Sequence, residues 1–529
     1  MAVRSQPSPT QLTEFGAAEL AALIARGQAS STEVVGAHIA RIEAVNARLN
    51  AVVLPTFEQA LAAAEAADAR RSRGEPAGLL DGVPMTIKEC YDVAGLPTTA
   101  GVRALAAQPA ARDAVAVAAC REAGAVFLGK TNVPHLLIFN EGDNPLYGRT
   151  NNPWDVERSP GGGSSGEGAI IAAHGSPLGL ATDYGGSIRI PPDFCGVLGF
   201  KPTSGRFSMR GTFDERLFPG LETVINQPGA IARSVADLEL ALAVLRAPGP
   251  AELDGRVLAR PWGDPDQVSL RGLRIAFYEE DEVFAVAPVK RRAVREAAGC
   301  LTELGAQVEE FLPPGIAEGV VIFTGLLSAG GSGWARRLSA GEKLDRRSGD
   351  PLRLMQMPNR LARALAPLAG LAGQRTVGRL LPGLGRRSAA AYRELLVARD
   401  RHRERFLGAL EERGYEAIIC PSNPFPAYRH GASYWLLNAG SYTQVYNLLG
   451  LPTGHVAATR VRAGEEIDRR PSRDLIERAA RRTEEGSAGL PAGVQVVGLP
   501  FREDTTLAVM RALDAHFKSQ PDYPATPPC

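Results

Sequence analysis

A chain of 529 residues with 45% hydrophobic and 22% charged residues is long enough to bury a large core and has the texture of a globular protein. A net charge of +1 gives no field that would draw nucleic acid. Six cysteines without any C-x-x-C spacing and seven dispersed histidines argue against zinc and redox motifs, and suggest reduced thiols in a cytoplasmic setting.

The opening MAVRSQPSPTQLTEFG lacks an apolar core segment, so no secretory signal is expected. No apolar run reaches the roughly eighteen residues needed to span a membrane. Apolar residues recur at helical spacing through 13–26 and 32–46, and Ser30-x-x-Glu33 reads as a capping box opening the second segment. An alanine-rich helix is predicted over 59–71. From Gly78 the texture changes to short β-branched runs punctuated by glycine and proline, GVPMTIKECYDV and AVFLGK, with a helical pattern over 113–123 between them. This alternation predicts an α/β core. Further strands are predicted at LRIAFY (273–278), AIIC (Ala417–Cys420) and GVQVV (493–497). The segment 334–387 carries twelve Lys or Arg against three Asp or Glu, with leucine and alanine at helical spacing. It reads as a basic helical insert or cap, able to touch an anionic membrane surface or admit a greasy substrate.

Gly124–Thr131, GAVFLGKT, fits the phosphate-loop pattern letter for letter. A working phosphate loop lies between a strand and a helix, with its amides pointing at the phosphates. Here the middle residues read as a buried strand and Pro134 follows too soon for a helix, so nucleotide binding is not expected. Two glycine-serine segments are more informative: Ser164 and Ser165 after Gly161–Gly163, and Ser187 after Gly185 and Gly186. Serine needs a positioned base to act as a nucleophile. His174, between the two segments, reads as a loop or core residue. Lys88 ends the apolar stretch VPMTI, and a buried lysine can serve as a base in its neutral form. Cys195, among apolar neighbours in DFCGVLGF, reads as a buried, inert thiol.

Lys88 in GVPMTIKE, the GGGSSGEGA segment and TDYGGSIRIP, in this order, resemble the three signature parts of the amidase signature family. The similarity continues through KTNVPHLLIFNEGDNPLYGRTNNPWD, CGVLGFKPTSGR, NLLGLPTG and GLPAGVQVVGLPFRED, and within the family is greatest to the fatty acid amide hydrolase branch. The resemblance implies an α/β fold: a single large domain with a mixed twisted β-sheet surrounded by helices. Residues 1–58 would form an N-terminal helical region and 59–529 the catalytic domain, with the insert at 334–387.

The resemblance also implies a Ser-Ser-Lys triad. Ser187 would be the nucleophile, Ser164 the bridging serine and Lys88 the base, and the family's bridging serine lies at a cis peptide bond. The amides of Tyr184, Gly185, Gly186 and Ser187 would form the oxyanion hole, with Ser165, Asp183 and Arg189 in support. The family order is G-G-S-S-G-G, whereas this chain has G-G-G-S-S-G. A gapless reading puts Gly163 at the bridge; a one-residue slip of the loop returns Ser164 there, and that slip is the expectation taken. The implied activity is hydrolysis of linear amides to acid and amine or ammonia through an acyl-enzyme, a fatty acid amide being the preferred substrate. A general aliphatic or aryl amidase, a carbamate hydrolase, the glutaminase component of a tRNA-dependent amidotransferase and a catalytically dead binding protein are the alternatives. No metal or organic cofactor is expected. The expected partners are a small-molecule amide and a second copy of the chain, not nucleic acid, with peripheral contact at the inner membrane surface.

Overall fold

The computed structural model describes residues 8–75, 77–217, 223–246, 254–339, 341–342, 344 and 346–529. In chain order its strands are β1 Val52–Pro55, β2 Pro84–Lys88, β3 Val126–Thr131, β4 Asp143–Asn144, β5 Gly148–Arg149, β6 Leu178–Asp183 and β7 Leu198–Lys201. They continue as β8 Gln227–Ala232, β9 Arg274–Phe277, β10 Gln307–Glu310, β11 Ala417–Cys420, β12 Thr453–Arg460 and β13 Pro491–Gly498. All but the β4–β5 ribbon join one sheet of eleven strands, ordered β1-β3-β2-β6-β8-β7-β12-β13-β11-β9-β10. The sheet is mixed: β3, β2 and β6 are parallel, as are β11, β9 and β10, and the strands between them pair antiparallel. Helices cover both faces, so central strands such as β2 and β6 are buried along their whole length and their sequences do not alternate in polarity.

The helix predicted over 13–26 is interrupted. Phe15 is extended, and Gly16 starts a new helix, Ala17–Ala25, with its N–H donated to Glu19 Oε2 at 3.0 Å. The predicted capping box forms at Ser31–Leu49: Glu33 N–H donates to Ser30 Oγ (3.1 Å) and Ser30 N–H to Glu33 Oε2 (2.8 Å). The N-terminal helices bury Leu20, Ile24 and Val34 with Met85 and Ile87 of β2, and Ile39 and Ile42 with Leu128 and Ile170. The phosphate-loop look-alike is strand β3, and its Lys130 is buried, donating to Pro97 O (2.5 Å) and Thr98 Oγ1 (3.1 Å). The basic segment folds into helices Gly333–Leu338, Arg346–Gln356, Asn359–Leu371 and Arg375–Leu380. No helix among the described residues is long and apolar enough to cross a membrane.

Candidate active site

Strands β2 and β6 are parallel neighbours, with Thr86 opposite Gly179 and Ile87 opposite Leu180, so both deliver their carboxyl ends to one edge of the sheet. In open α/β sheets ligands bind beyond that edge. β2 ends in Lys88, and β6 ends in Thr182 and Asp183 before running into the turn that carries Ser187. Lys88 is 2% exposed. Its Nζ donates to Thr182 Oγ1 at 2.7 Å and to Thr182 O at 3.3 Å. The Thr182 hydroxyl donates in turn to Asp214 Oδ2 at 3.3 Å. Burial pushes the Asp214 carboxyl up, and the Lys88 charge offsets this in part.

Below this layer the helix Ser165–Ala172 turns Glu167 toward the sheet. Its carboxyl accepts from Thr86 Oγ1 (2.6 Å) and Thr131 Oγ1 (2.8 Å). Burial raises it to about 8 against the pull of those hydroxyls and of Lys88. Sequence reasoning does not single out Thr182, Asp214 or Glu167. Thr182 and Glu167 lie inside the signature segments, whereas nothing local marks Asp214.

The turn is held by one buried ion pair. Asp183 Oδ1 accepts from Gly186 N–H (2.7 Å), Arg189 Nη2 (2.9 Å) and Asn447 Nδ2 (2.9 Å); Oδ2 accepts from Ile188 N–H (3.0 Å) and Arg189 Nε (2.9 Å). Burial alone would raise the Asp183 carboxyl, but the Arg189 charge and hydrogen bonds hold it well below the usual carboxylate range. Gly186 has φ +128, and a Cβ there would stand 2.6 Å from Thr443 Oγ1 and 2.7 Å from Ile190 Cδ1, so only glycine makes this turn. The oxyanion expectation is corrected at this residue, because its N–H is committed to Asp183. Tyr184, Gly185 and Ser187 face the cavity.

The structure departs from the expected slip as well. A Cβ built on Gly163, whose φ is +55, would lie 2.1 Å from Ser187 Oγ, 2.4 Å from Ser187 Cβ and 3.3 Å from Lys88 Nζ. Gly163, not Ser164, therefore abuts both residues. Ser164 sits at the N-cap of Ser165–Ala172, buried, its Oγ without a hydrogen-bond partner among the described residues and outside the cavity lining. The chain enters the helix at Ser164, and that side chain makes no capping hydrogen bond to the helix's first turn. Ser165 Oγ donates to Gly161 O at 2.6 Å, bracing the loop. No peptide bond among the described residues is cis. Cys195 is buried, and burial pushes its thiol up.

Lys88 and Ser187 open onto a cavity of about 280 Å³. Its walls are mainly apolar, with Leu136, Ile138, Phe139, Leu217, Phe323, Leu327 and, from the basic insert, Trp334, Leu352, Leu354 and Met355. An apolar cavity with a few polar groups in its lining is the usual form of a small-molecule site.

A family model described as Amidase matches residues 33–507. The chain is 35% identical over 443 residues to "Fatty-acid amide hydrolase 1" of Sus scrofa, covering 83% of this chain and 76% of that one. It is 32% identical to a glutamyl-tRNA(Gln) amidotransferase component of Anaeromyxobacter sp. (strain K), covering 97% of this chain and 98% of that one. A solved structure of "Fatty acid amide hydrolase" superposes with a TM-score of 0.82 at 27% identity, over 96% of this chain and 86% of the other. The chain belongs to the amidase signature family, and its large mixed sheet flanked by helices is that family's fold. It is an amide-hydrolysing enzyme.

Proposed function

We propose that this enzyme cleaves linear amides of long apolar acyl groups, with Ser187 as nucleophile and Lys88 as base. The observation that carries the reading is the mainly apolar cavity whose lining includes these two residues. Apolar acyl surface leaving water for such walls stabilises binding by about 25 cal/mol per Å², so each added methylene in contact should strengthen it. In acylation Ser187 Oγ bonds to the carbonyl carbon as its proton passes to Lys88 acting as base. The oxyanion would be met by the amides of Tyr184, Gly185 and Ser187, one such donor being worth roughly 3–4 kcal/mol of barrier. The C–N bond then breaks, Lys88 returns the proton to the departing nitrogen, and water repeats the sequence on the acyl-enzyme.

The similarity to an amidotransferase component motivates a second substrate class, but a greasy chamber suits an acyl chain better than a glutamine side chain. Kinetics over a series of primary amides of rising acyl length separate the two. A rise in kcat/KM with length is expected; a flat or falling profile overturns the lipid reading.

The insert supports a peripheral contact with an anionic bilayer. Leu361, Leu365, Leu368 and Leu371 are exposed on Asn359–Leu371, Leu371 at 86%, beside the exposed Arg360 and Arg363. Leu354 of the preceding helix is both exposed and part of the chamber wall, which links this surface to the substrate route.

A further inference from the structure

The cavity holds two polar side chains that the acylation chemistry leaves unused. Asn226 and Gln444 both belong to its lining, at 6% and 9% exposure. Asn226 Nδ2 and Gln444 Oε1 have no hydrogen-bond partner among the described residues. We infer that these two amides form a subsite for an uncharged carboxamide on the amine portion of the substrate. The inference rests on the reading of an apolar acyl group cleaved at Ser187 and extends it to the leaving group.

Rigid elements set both side chains beside the nucleophile turn. Asp183 pairs with Gln227 where β6 meets β8, so the next residues outward, Tyr184 and Asn226, leave the sheet side by side. Asn226 Oδ1 accepts the Gln227 N–H at 2.8 Å, which fixes the side-chain amide and leaves its NH₂ as the unpartnered end. Gln444 lies on the helix Ser441–Leu449. Thr443 Oγ1 fastens that helix to the turn by donating to Gly185 O at 2.7 Å. Arg189 adds bonds to Thr443 O (3.2 Å) and Asn447 Oδ1 (2.5 Å). A Cβ on Gly185 would stand 3.8 Å from Gln444 Cγ, in ordinary contact. One amide thus flanks Tyr184 and the other flanks Gly185.

Their chemistry selects the ligand. A buried polar group without a partner is costly, and native sites satisfy such groups with ligand or water. A donor on Asn226 and an acceptor on Gln444 match the carbonyl oxygen and the N–H of a carboxamide. An apolar acyl chain offers neither, which places the carboxamide on the amine side. The lysine and the carboxyl of the lining, Lys88 and Asp214, both bond to the Thr182 hydroxyl, so neither is an unpartnered charge awaiting an ionic ligand. Water can satisfy both amides in the free enzyme, but a substrate that expels it without replacing its hydrogen bonds loses affinity.

The test holds constant the acyl chain that gives the highest kcat/KM among primary amides. It compares three amine portions of nearly the same shape: glycinamide, glycine as its carboxylate, and isobutylamine. A site built to hydrogen-bond a substrate group rejects an isostere without it, so kcat/KM for the glycinamide should exceed both others by about tenfold or more. An equal or greater value for either competitor overturns the inference. So does absence of turnover with all three by enzyme that cleaves primary amides. Asn226→Leu and Gln444→Leu are compared through the ratio of glycinamide to isobutylamine within each variant, where any loss of folded enzyme cancels. The ratio should fall toward unity in both, and a wild-type ratio in either overturns the two-amide subsite; the wild-type comparison decides alone should a variant not fold. Failure of the underlying reading shows elsewhere: a flat acyl-length profile overturns the apolar acyl group, and fluorophosphonate labelling away from Ser187 overturns the nucleophile, whichever amine is preferred.

Discussion

Replacing Asp183 by asparagine keeps its shape and removes only its charge and one acceptor. In the folded protein the carboxylate takes five hydrogen bonds, three on Oδ1 and two on Oδ2, in a site from which water is excluded. The least damaging orientation of the new amide turns its NH₂ toward the Oδ2 side, where it opposes Ile188 N–H and Arg189 Nε, both donors. Two donors are then unsatisfied, at about 1–3 kcal/mol each. Arg189 also loses its counter-charge and keeps, besides the Nη2 bond to the remaining oxygen of residue 183, only Gln495 Oε1 (2.7 Å), Asn447 Oδ1 (2.5 Å) and Thr443 O (3.2 Å) as partners. Breaking a buried pair from one side costs about 3–5 kcal/mol, and that is the expected loss of folding stability. The carboxyl is held below its ordinary value of 3.8, so its contribution is present above that pH and lost below it; at pH 7 the whole effect should be visible. Urea denaturation gives the stability, and fluorophosphonate labelling of Ser187 reports on the turn. Both should fall together, because Gly186 and Ile188 flank the nucleophile. A stability loss under about 1 kcal/mol, or full loss of stability with an unchanged labelling rate, would refute the claim that this pair shapes the turn.

Glu167 should make stability fall with rising pH. Its carboxyl is raised from 4.5 to about 8, so the protonated form stabilises the fold and that stability is lost as pH rises from the lower value through the upper. Thermal midpoints of wild type should drop over this window by more than those of Glu167→Gln; parallel curves would remove Glu167 from the account. Asp214→Ala releases Thr182, so kcat should fall roughly tenfold or more with KM and the thermal midpoint little changed, and Asp214→Glu should restore part of the rate. A change confined to KM would assign Asp214 to substrate binding instead. Vesicles rich in anionic lipid should retain the protein at about 0.01 M salt and release it near 0.15 M, where the screening length shortens from about 30 to 8 Å. Replacing Leu368 and Leu371 with aspartate should abolish retention; equal recovery with and without vesicles at low salt counts against the membrane contact.

Features that depend on neighbours along the chain are legible in the sequence. The strand expected at AIIC forms at Ala417–Cys420, and LRIAFY shrinks only to Arg274–Phe277. Ser30 and Glu33 lie three residues apart, which is all a capping box requires. The phosphate-loop look-alike can be dismissed because its four middle residues have no polar face. By contrast, the break at Phe15–Gly16 escapes sequence reasoning: the apolar spacing continues across it, and what decides it is Glu19 reaching back to the Gly16 N–H. Periodicity reports which face is apolar, not whether the backbone turns.

The site divides along the same line. Lys88 and Ser187 can be picked out because Lys88 closes an apolar strand and Ser187 follows paired glycines, and such positions are local. Thr182 and Asp214 matter only because β6 lies next to β2 and the short helix Asp214–Leu217 brings its carboxylate to the Thr182 hydroxyl, and no spacing rule contains that. Gly163 is the sharpest case. Read in one dimension, a missing side chain looks like a defect, and sliding Ser164 one place repairs it. In three dimensions the space that a side chain would need is taken up by the hydroxyl of Ser187 itself. Exclusion between two groups far apart in the chain cannot be written in either segment alone, so the sequence could pose the choice between Gly163 and Ser164 but the fold was needed to decide it.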